Sequence, residues 1–207
     1  MKYEIKICGL TRAEDVLLAA RAGASFVGFV HVPTSPRFVS KEQIKSLFES
    51  VPDSIKKVCV VQNLPLDDAK QLVRTLRPDV IQLHGSESPD YARALAEGCQ
   101  TVVWKALHLR SSADVAAAAD FPADRIVADA AQGGSGQTCD WTLVRELAHK
   151  KDVMLAGGIN PSNARDALRD TNARGLDICS GVESAPGIKS IEKIAAFFES
   201  LSFLKTA

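Results

Sequence analysis

The chain has 207 residues, 46% of them hydrophobic and 24% charged, and its 25 Lys and Arg residues balance its 25 Asp and Glu residues. This composition is typical of a globular chain with a large apolar core, and a net charge of zero argues against a general affinity for nucleic acid or for an anionic membrane surface. No apolar run approaches the ~20 residues of a membrane-spanning helix. From the charge balance we expect no nucleic acid as partner, and from the charge balance and the lack of a long apolar run we expect no membrane as partner.

Eight β-rich segments recur along the chain, and a helix-like segment follows each of them. In chain order, the predicted strands cover residues 3–8, 26–30, 57–61, 80–84, 101–107, 125–130, 153–157 and 175–180. Short strands that alternate with helical segments are typical of βα units and of a parallel sheet.

Several of the intervening segments carry helix start signals. Thr11 and Glu14 have the spacing of a capping box, and so do Ser40 and Gln43. Prolines stand where three further helices are expected to begin, at positions 65, 89 and 161.

Eight βα units in one chain predict a (β/α)₈ TIM barrel, a single α/β domain over residues 1–207. A doubly wound sheet is the alternative, but it normally has a glycine-rich turn after its first strand. The corresponding turn here, CGLTRAED, contains a single glycine. Barrel active sites lie at the C-terminal ends of the strands and in the loops that follow, so polar residues at those ends are the candidates for function.

Cys8 ends the first predicted strand. Side chains alternate along a strand, so Lys6 and Cys8 share one face, while Ile5 and Ile7 share the apolar face that should pack on helices. Cys8 would then point into the mouth of the barrel, one layer above Lys6, and a nearby cation lowers the pKa of a thiol. A small buried hydrophobic residue is the other interpretation of this cysteine.

Asp129 ends the sixth predicted strand, where packing does not require an acidic side chain. Because the first and sixth strands are far apart in order, Cys8 and Asp129 could face each other across a bound molecule, as a general base and a general acid do. A cap or turn residue is the alternative for Asp129. The long predicted loop that follows contains GGSG at 133–136, which could add backbone donors or close over the mouth.

Glycines follow the seventh and eighth predicted strands. Gly157 and Gly158 lie in LAGGIN, and Ser180 and Gly181 come at the end of the last strand. Loops at these two places in a barrel frequently bind phosphate through backbone N–H groups. Tight turns are the alternative for each cluster, but the location predicts a phosphate site.

Arg37, in the loop after the second strand, could bind a carboxylate through its planar guanidinium or could be a solvated surface residue. His31, His84 and His108 lie at or just past the ends of three strands and could hold a metal. We favour a site without metal, because no paired carboxylate motif accompanies these histidines. His84 is interpreted as a hydrogen-bonding contact to a bound molecule.

The other cysteines are far apart and form no CxxC pair, which is typical of reduced thiols and not of a disulfide framework or a zinc module. Cys59, Cys99 and Cys179 are expected to be structural, and Cys139 lies in the long loop. The N-terminal segment lacks the apolar core of a signal peptide. We therefore expect a cytoplasmic location.

The sequence blocks that carry these residues resemble the phosphoribosylanthranilate isomerase family of tryptophan biosynthesis. The blocks are KICGLT, GFV with SPRFVS, QLHG, VADA with GGSG and DW, LAGGINP, and GLDICSGVE with PGIKS. They follow the family's order from residue 5 to residue 190. The chain departs from the usual family pattern at four positions: His31, Gln137, Cys139 and Cys179.

The resemblance implies an isomerase that converts N-(5-phosphoribosyl)anthranilate into 1-(o-carboxyphenylamino)-1-deoxyribulose 5-phosphate by an Amadori rearrangement, without a cofactor. It implies Cys8 as the general base and Asp129 as the general acid. It also implies that Arg37 binds the anthranilate carboxylate and that His84 and Asp177 help to place the substrate, although Asp177 could instead be a structural ion-pair partner. The phosphate would lie among four residues: Gly157, Gly158, Ser180 and Gly181.

Two other functions remain open. One is a related phosphosugar barrel, such as an epimerase with metal ligands or an indole-glycerol-phosphate synthase with catalytic Lys and Glu residues, for which Lys105 is a candidate. The other is a barrel that binds a phosphosugar without turnover, although a binder has no need of both Cys8 and Asp129. We expect the chain to act as a monomer or a homodimer.

Overall fold

The structure, a computed structural model, describes residues 3–129 and 140–202. Eight parallel strands form a closed barrel in which each strand pairs with the next one along the chain. They are β1 (Glu4–Ile7), β2 (Phe26–Val30), β3 (Lys56–Val61), β4 (Val80–Leu83), β5 (Val102–His108), β6 (Arg125–Asp129), β7 (Val153–Ala156) and β8 (Gly175–Ile178). The barrel closes because β8 pairs with β1, with Asp177 opposite Lys6. This closure confirms the predicted (β/α)₈ barrel and excludes the doubly wound sheet, which stays open at its edges.

Helices follow the strands and surround the barrel. They are α1 (Ala13–Ala22), α2 (Lys41–Glu49), α3 (Leu66–Leu76), α4 (Pro89–Cys99), α5 (Ser112–Asp120), α6 (Trp141–Ala148), α7 (Ala164–Thr171) and α8 (Ile191–Ser200). In the two described stretches, none of them has the length and apolar character needed to cross a bilayer. The glycines at 133–136, together with Gln137 and Cys139, lie outside the described residues.

A short addition between β8 and α8 was not predicted. The chain forms a 3-10 turn (Ser180–Val182) and then a small antiparallel hairpin of β9 (Glu183–Ala185) and β10 (Ile188–Lys189). Strands of two or three residues are too short to show an alternation pattern in a sequence. This hairpin matters for the site, because it supplies two charged residues to the mouth of the barrel.

The predicted alternation along β1 is confirmed, and the same alternation divides the apolar residues of the barrel into two cores. Ile5 and Ile7 face the layer between strands and helices, whereas Cys8 faces the barrel interior. The interior is filled by Phe26, Val58, Val60, Val80, Trp104, Ala106, Val127 and Met154. The barrel is therefore a packed core, and its two ends are the places where polar groups collect.

Arg125 closes the end of the barrel where the strands begin. Its guanidinium lies over the Trp104 ring, 4.7 Å from the centroid, and forms ion pairs with Glu4 at 2.7 Å and with Asp152 at 2.8 Å. Arg125 and Glu4 are the first residues of their strands. Polar residues at this end stabilise the barrel, as expected for the face opposite the active site.

One of the two predicted capping boxes is present. The Ser40 hydroxyl accepts from the Gln43 N–H, and the Gln43 side chain accepts from the Ser40 N–H. The prediction of a second capping box at Thr11 is wrong. The Thr11 hydroxyl donates instead to the Gly187 carbonyl in the turn between β9 and β10, 2.6 Å away, and α1 begins without a side-chain cap.

Candidate active site

A cavity of about 710 Å³ opens at the C-terminal ends of the strands. The predicted site residues that line it are Cys8, Arg37, His84, Asp129, Gly157, Gly158, Asp177 and Ser180. Gly181 is not among the lining residues, and Cys179, which was expected to be structural, is one of them. These predicted residues are far apart in the sequence, at or after the ends of six different strands, and the fold brings them together in one cavity.

Cys8 lies beside a buried lysine, as the alternation along β1 predicts. The Lys6 Nζ donates to Cys8 Sγ at 3.2 Å, to Gln82 Oε1 at 2.7 Å and to Asp177 Oδ2 at 2.7 Å. An ammonium group has three N–H donors, so these three acceptors saturate it. Lys6 is fully buried and Asp177 is 7% exposed. Asp177 is therefore both an ion-pair partner and part of the cavity wall.

The pKa of the Cys8 thiol is raised and not lowered. Burial is the largest cause, because it disfavours the charged thiolate, and the negative charge of Asp177 adds to the effect. Lys6 acts in the opposite direction without outweighing them. Lys6 therefore lowers the pKa of the thiol as predicted, but the net shift is upward because burial, which was not predicted, outweighs it.

A hydrogen-bonded chain leads from Lys6 through Gln82 to His84, whose ring faces Asp129. Because an ammonium group can only donate, Gln82 must turn its oxygen toward Lys6 and its NH₂ toward the His84 Nδ1, 3.0 Å away. Nδ1 is then an acceptor, and a neutral His84 carries its proton on Nε2, which lies 3.6 Å from Asp129 Oδ2. The buried cluster thereby orients the His84 ring toward the Asp129 carboxyl.

Arg37 is held by a carboxylate at the mouth of the barrel. Its Nε and Nη2 donate to Glu183 oxygens at 2.9 Å and 2.6 Å, and Lys189 Nζ donates to the same carboxylate at 2.8 Å. Burial opposes ionisation of Glu183, but the hydrogen bonds from Arg37 and Lys189 outweigh it and lower its pKa to about 2. The protein thus uses the Nε edge of the guanidinium, and a second carboxylate would bind at its Nη1 and Nη2 end.

Lys189 connects this ion-pair network to the loop that carries Cys8. Its Nζ also donates to the Cys8 carbonyl at 2.5 Å and to the Cys179 carbonyl at 3.3 Å. The β9–β10 hairpin therefore holds three segments in place. Lys189 binds the chain just past β1 and just past β8, and Glu183 binds the loop after β2 through Arg37.

The loop after β7 begins with two glycines in the left-handed region of backbone conformation. Gly157 and Gly158 have φ values of 80° and 67°, which residues with a Cβ rarely adopt. The side chains of Asn160 and Asn163 both donate to the Gly158 carbonyl, at 3.1 Å and 3.0 Å. Asn163 also accepts from the Asn160 N–H at 2.9 Å, so α7 begins only after this turn and not at the predicted proline.

Gly181 lies where the loop after β8 touches the loop after β7. A Cβ at this position would lie 2.0 Å from the Ile159 carbonyl oxygen, a clash that only a backbone shift could relieve. A Cβ at Gly158 would meet no atom within 4 Å, although the φ of 67° still disfavours it. Gly181 thus allows the two loops to approach each other.

We expect Gly181→Ala to separate these loops and to weaken the binding of inorganic phosphate by roughly tenfold, about 1.4 kcal/mol. The clash should also lower the free energy of unfolding by about 1–3 kcal/mol, the usual cost of overpacking. Gly23→Ala is the matched control, since Gly23 has a left-handed backbone at the end of α1, away from the cavity, and its Cβ would meet no atom closer than 3.7 Å. Its backbone costs about 1–2 kcal/mol without any clash. Calorimetric titration and urea unfolding measure both effects. Unchanged phosphate affinity in Gly181→Ala would contradict this role.

Lys105 does not reach the cavity. Its neighbours Trp104 and Ala106 face the barrel interior, so Lys105 faces the helices. There it donates to Glu87 at 2.9 Å and to the Gly85 carbonyl at 2.5 Å. Lys105 is therefore not the catalytic lysine that a synthase of this type would need.

The three strand-end histidines do not converge on one point. His31 Nδ1 lies 2.9 Å from the Val39 carbonyl, and His108 Nδ1 lies 3.1 Å from the Asp129 carbonyl. His84 faces the Asp129 side chain instead. In residues 3–129 and 140–202 no group of three or more His, Cys, Asp or Glu side chains is placed to hold a metal ion.

A comparison with protein-family models identifies the chain. The model described as N-(5'phosphoribosyl)anthranilate (PRA) isomerase matches residues 5–200. The chain belongs to this family. The match extends from β1 to the end of α8, so every lining residue of the cavity lies within it.

Individual members of the isomerase family are similar over nearly their whole length. The N-(5'-phosphoribosyl)anthranilate isomerase of Agrobacterium fabrum is 41% identical over 208 residues, which cover 96% of this chain and 94% of the relative. The crystal structure of phosphoribosyl anthranilate isomerase from Thermus thermophilus is 37% identical, with a TM-score of 0.89 and coverage of 97% and 99%. Another such isomerase, crystallised with reduced 1-(o-carboxyphenylamino)-1-deoxyribulose 5-phosphate, is 30% identical, with a TM-score of 0.87 and coverage of 96% and 98%. The resemblance found in the sequence blocks is confirmed.

Five polar residues that line this cavity were not among the predicted site residues: Ser35, Gln62, Gln82, Asn160 and Asn163. Glu183 and Lys189, which contact Arg37 and the Cys8 carbonyl from outside the lining, were not predicted as site residues either. Gln82 lies two positions before His84, so the period of a strand places both on one face and could have revealed it. Glu183 and Lys189 lie in the family blocks GLDICSGVE and PGIKS, but their contacts gave no local signal, because Arg37 and the Cys8 carbonyl lie 146 and 181 residues away in sequence.

Proposed function

We propose that this chain converts N-(5'-phosphoribosyl)anthranilate into 1-(o-carboxyphenylamino)-1-deoxyribulose 5-phosphate, an Amadori rearrangement in tryptophan biosynthesis. One observation carries the proposal: a single cavity holds Cys8, Asp129 and the glycine loop after β7, in a chain that belongs to the isomerase family. The reaction moves protons between atoms of one molecule, so a positioned acid and base can drive it.

Asp129 is proposed to open the sugar ring. The protonated carboxyl donates its proton to the furanose ring oxygen, the bond between that oxygen and C1′ breaks, and the anthranilate nitrogen supplies its lone pair to form an iminium. His84 lies next to this carboxyl, and β6 is the neighbour of β7 in the barrel. A substrate with its phosphate at the loop after β7 would therefore have its sugar within reach of Asp129.

Cys8 is proposed to remove the proton on C2′ from the other side of the mouth. The thiolate takes this proton, the C–H electron pair forms the C1′–C2′ double bond, and the nitrogen recovers its lone pair. The resulting enolamine loses the proton of its C2′ hydroxyl and gains one at C1′. The product is the ketone, with the same atoms as the substrate.

The two charged ends of the substrate set this geometry. Backbone N–H groups of Gly157, Gly158 and Ser180 would bind the phosphate. Arg37 would bind the anthranilate carboxylate through the end of its guanidinium that Glu183 does not use. The sugar would then lie between Cys8 and Asp129.

Replacing Arg37 with lysine keeps the charge but removes the planar fork. We expect the KM for phosphoribosylanthranilate to rise roughly 10- to 100-fold, because a charge-assisted contact worth about 1.5–3 kcal/mol is lost, while kcat changes less. Steady-state kinetics measure both constants. Arg93→Lys, on the exposed surface of α4, is the control. An unchanged KM in Arg37→Lys would show that the carboxylate binds elsewhere.

The activity itself can be followed by fluorescence. Phosphoribosylanthranilate made in situ should lose its anthranilate-type emission rapidly when the purified protein is added, with or without EDTA. Circular dichroism confirms that the protein is folded. A folded protein that causes no loss of emission would contradict the proposed activity, and binding of other phosphosugars would then be examined.

We further propose that residues 1–207 form a single domain, because the pairing of β1 with β8 makes closure depend on both ends of the barrel. A cytoplasmic location is supported by the four described cysteines, all of which are free thiols. Sedimentation velocity would distinguish the two expected assembly states, monomer and homodimer.

A further inference from the structure

The charge of the buried cluster around Lys6 depends on the proton of Cys8. When Cys8 is a thiol, the Lys6 ammonium and the Asp177 carboxylate balance each other. When Cys8 is a thiolate, the cluster carries one net negative charge, and the sulfur and the carboxylate compete for the same cation, at 3.2 Å and 2.7 Å from Nζ. Any group that draws charge from Asp177 therefore favours the thiolate.

One oxygen of Asp177 lacks a hydrogen-bond donor in the part of the chain that the structure describes. Its Oδ2 accepts from Lys6, whereas its Oδ1 is buried and has no hydrogen-bond partner among residues 3–129 and 140–202. The side chain is 7% exposed and lines the cavity. A buried carboxylate oxygen without a donor is unfavourable, so a hydroxyl group of a bound sugar is a suitable partner for it.

We propose that Asp177 couples occupation of the cavity to the loss of the proton from Cys8. A sugar hydroxyl that donates to Oδ1 stabilises part of the negative charge of the carboxylate. The Lys6 ammonium then interacts less strongly with Asp177 and more strongly with the Cys8 sulfur, which favours the thiolate. The thiol proton leaves through the cavity mouth to solvent, and no electrons are transferred. Lys6 and Asp177 are positioning residues in this scheme. The identity of the sugar rests on the proposed function, but the charge coupling does not.

The charges around Cys8 shift the pKa of its thiol in the directions that this scheme requires. Burial raises the pKa of Cys8 most, Lys6 and Lys189 lower it, and Asp177 raises it. The other titratable groups around the thiol lie on neighbouring elements: Lys189 on β10, Arg37 after β2, Cys179 after β8, and His84 and Asp129 across the mouth. Asp177 is the acceptor that shares the Lys6 ammonium directly with Cys8.

Alkylation of Cys8 by iodoacetamide measures the thiolate without requiring isomerase activity. Its rate is followed against pH by mass spectrometry of the peptide that contains Cys8. The midpoint of this curve of alkylation rate against pH reports the ionisation of the Cys8 thiol. Asp177→Asn should lower this midpoint by about one pH unit or more, the usual effect of removing a nearby like charge. The double variant Lys6→Met/Asp177→Asn leaves no unpaired buried charge, and its midpoint should lie about one unit or more above that of Asp177→Asn.

Glu87→Gln is the matched control, since it breaks a buried lysine–carboxylate pair on the helix-facing side of the sheet. Its midpoint should equal that of the unmodified protein. A midpoint that Asp177→Asn leaves unchanged, or that Glu87→Gln shifts equally, would overturn the proposed role of Asp177.

The coupling to occupation is tested with ribose 5-phosphate as the probe. Calorimetry in two buffers of different ionisation enthalpy counts the protons released on binding, at a pH below the Cys8 midpoint. The unmodified protein should release more protons than Cys8→Ala, in which only the phosphate of the probe can titrate. In the Asp177→Asn background, the proteins with and without the Cys8 thiol should release equal numbers of protons. Equal release by the unmodified protein and Cys8→Ala would overturn the coupling. Proton release without isomerase activity would instead overturn the proposed function and leave the coupling intact.

Discussion

Cys8→Ala should lower kcat for phosphoribosylanthranilate by roughly 10²- to 10⁴-fold, the usual contribution of a positioned base. The KM should change little, because the proposed phosphate and carboxylate contacts belong to the loop after β7 and to Arg37. Cys99→Ala, which removes a thiol at the end of α4, is the control. A rate for Cys8→Ala within a few-fold of the unmodified enzyme would exclude Cys8 as the base.

The pH dependence provides a second check on Cys8. A base acts in its deprotonated form, so kcat/KM should rise with pH until the thiol of the free enzyme has lost its proton. Because the pKa of this thiol is raised, mainly by burial, the rising part of the kcat/KM profile should lie at higher pH than for an ordinary cysteine. This rising part should be missing from the residual activity of Cys8→Ala. If it persists there, another group is titrating.

Asp129→Asn should also lower kcat by roughly 10²- to 10⁴-fold. The amide keeps the shape of the side chain but has no acidic proton for the ring oxygen. Asp53→Asn is the control, since Asp53 is an exposed acid that follows α2 and precedes β3, at the opposite end of the barrel. Activity of Asp129→Asn close to that of the unmodified enzyme would mean that another group opens the ring.

Isotopic substitution at C2′ separates the two roles. In Cys8→Ala the removal of the C2′ proton becomes the slow step, so deuterated substrate should react more slowly than ordinary substrate. In Asp129→Asn ring opening becomes the slow step, and the isotope effect should disappear. A large isotope effect in Asp129→Asn would contradict its assignment to ring opening.

Local patterns were sufficient to predict the barrel and several of the residues that line the cavity. The eight strands were located because each is a short apolar segment between turn signals, and a period of two placed Lys6 below Cys8. The end of a strand is also a reliable position, since a closed parallel barrel gathers all such ends at one face. For this reason Cys8, His84 and Asp129 could be selected without knowledge of any contact.

The contacts that adjust the site could not be predicted in the same way. The Lys6–Asp177 pair depends on the register between the first and last strands of the barrel, and the Arg37–Glu183 pair depends on a hairpin with strands of three and two residues. The net direction of the Cys8 pKa shift was not predicted, because burial and a second charge act on the thiol together with Lys6. Thr11 was misassigned because its hydroxyl has a distant partner, Gly187, that competes with the local cap.

The closure of the barrel has a consequence for how this enzyme is made. Cys8 leaves the ribosome long before Asp177 and Lys189, which surround it in the finished barrel. Until then β1 has no β8 to pair with, and its thiol has no partner from the C-terminal strands. A translation product that stops before β10 would therefore lack the lysine beneath the Cys8 carbonyl. In this barrel the pairing of β8 with β1 is also the step that completes the wall of the cavity around Cys8.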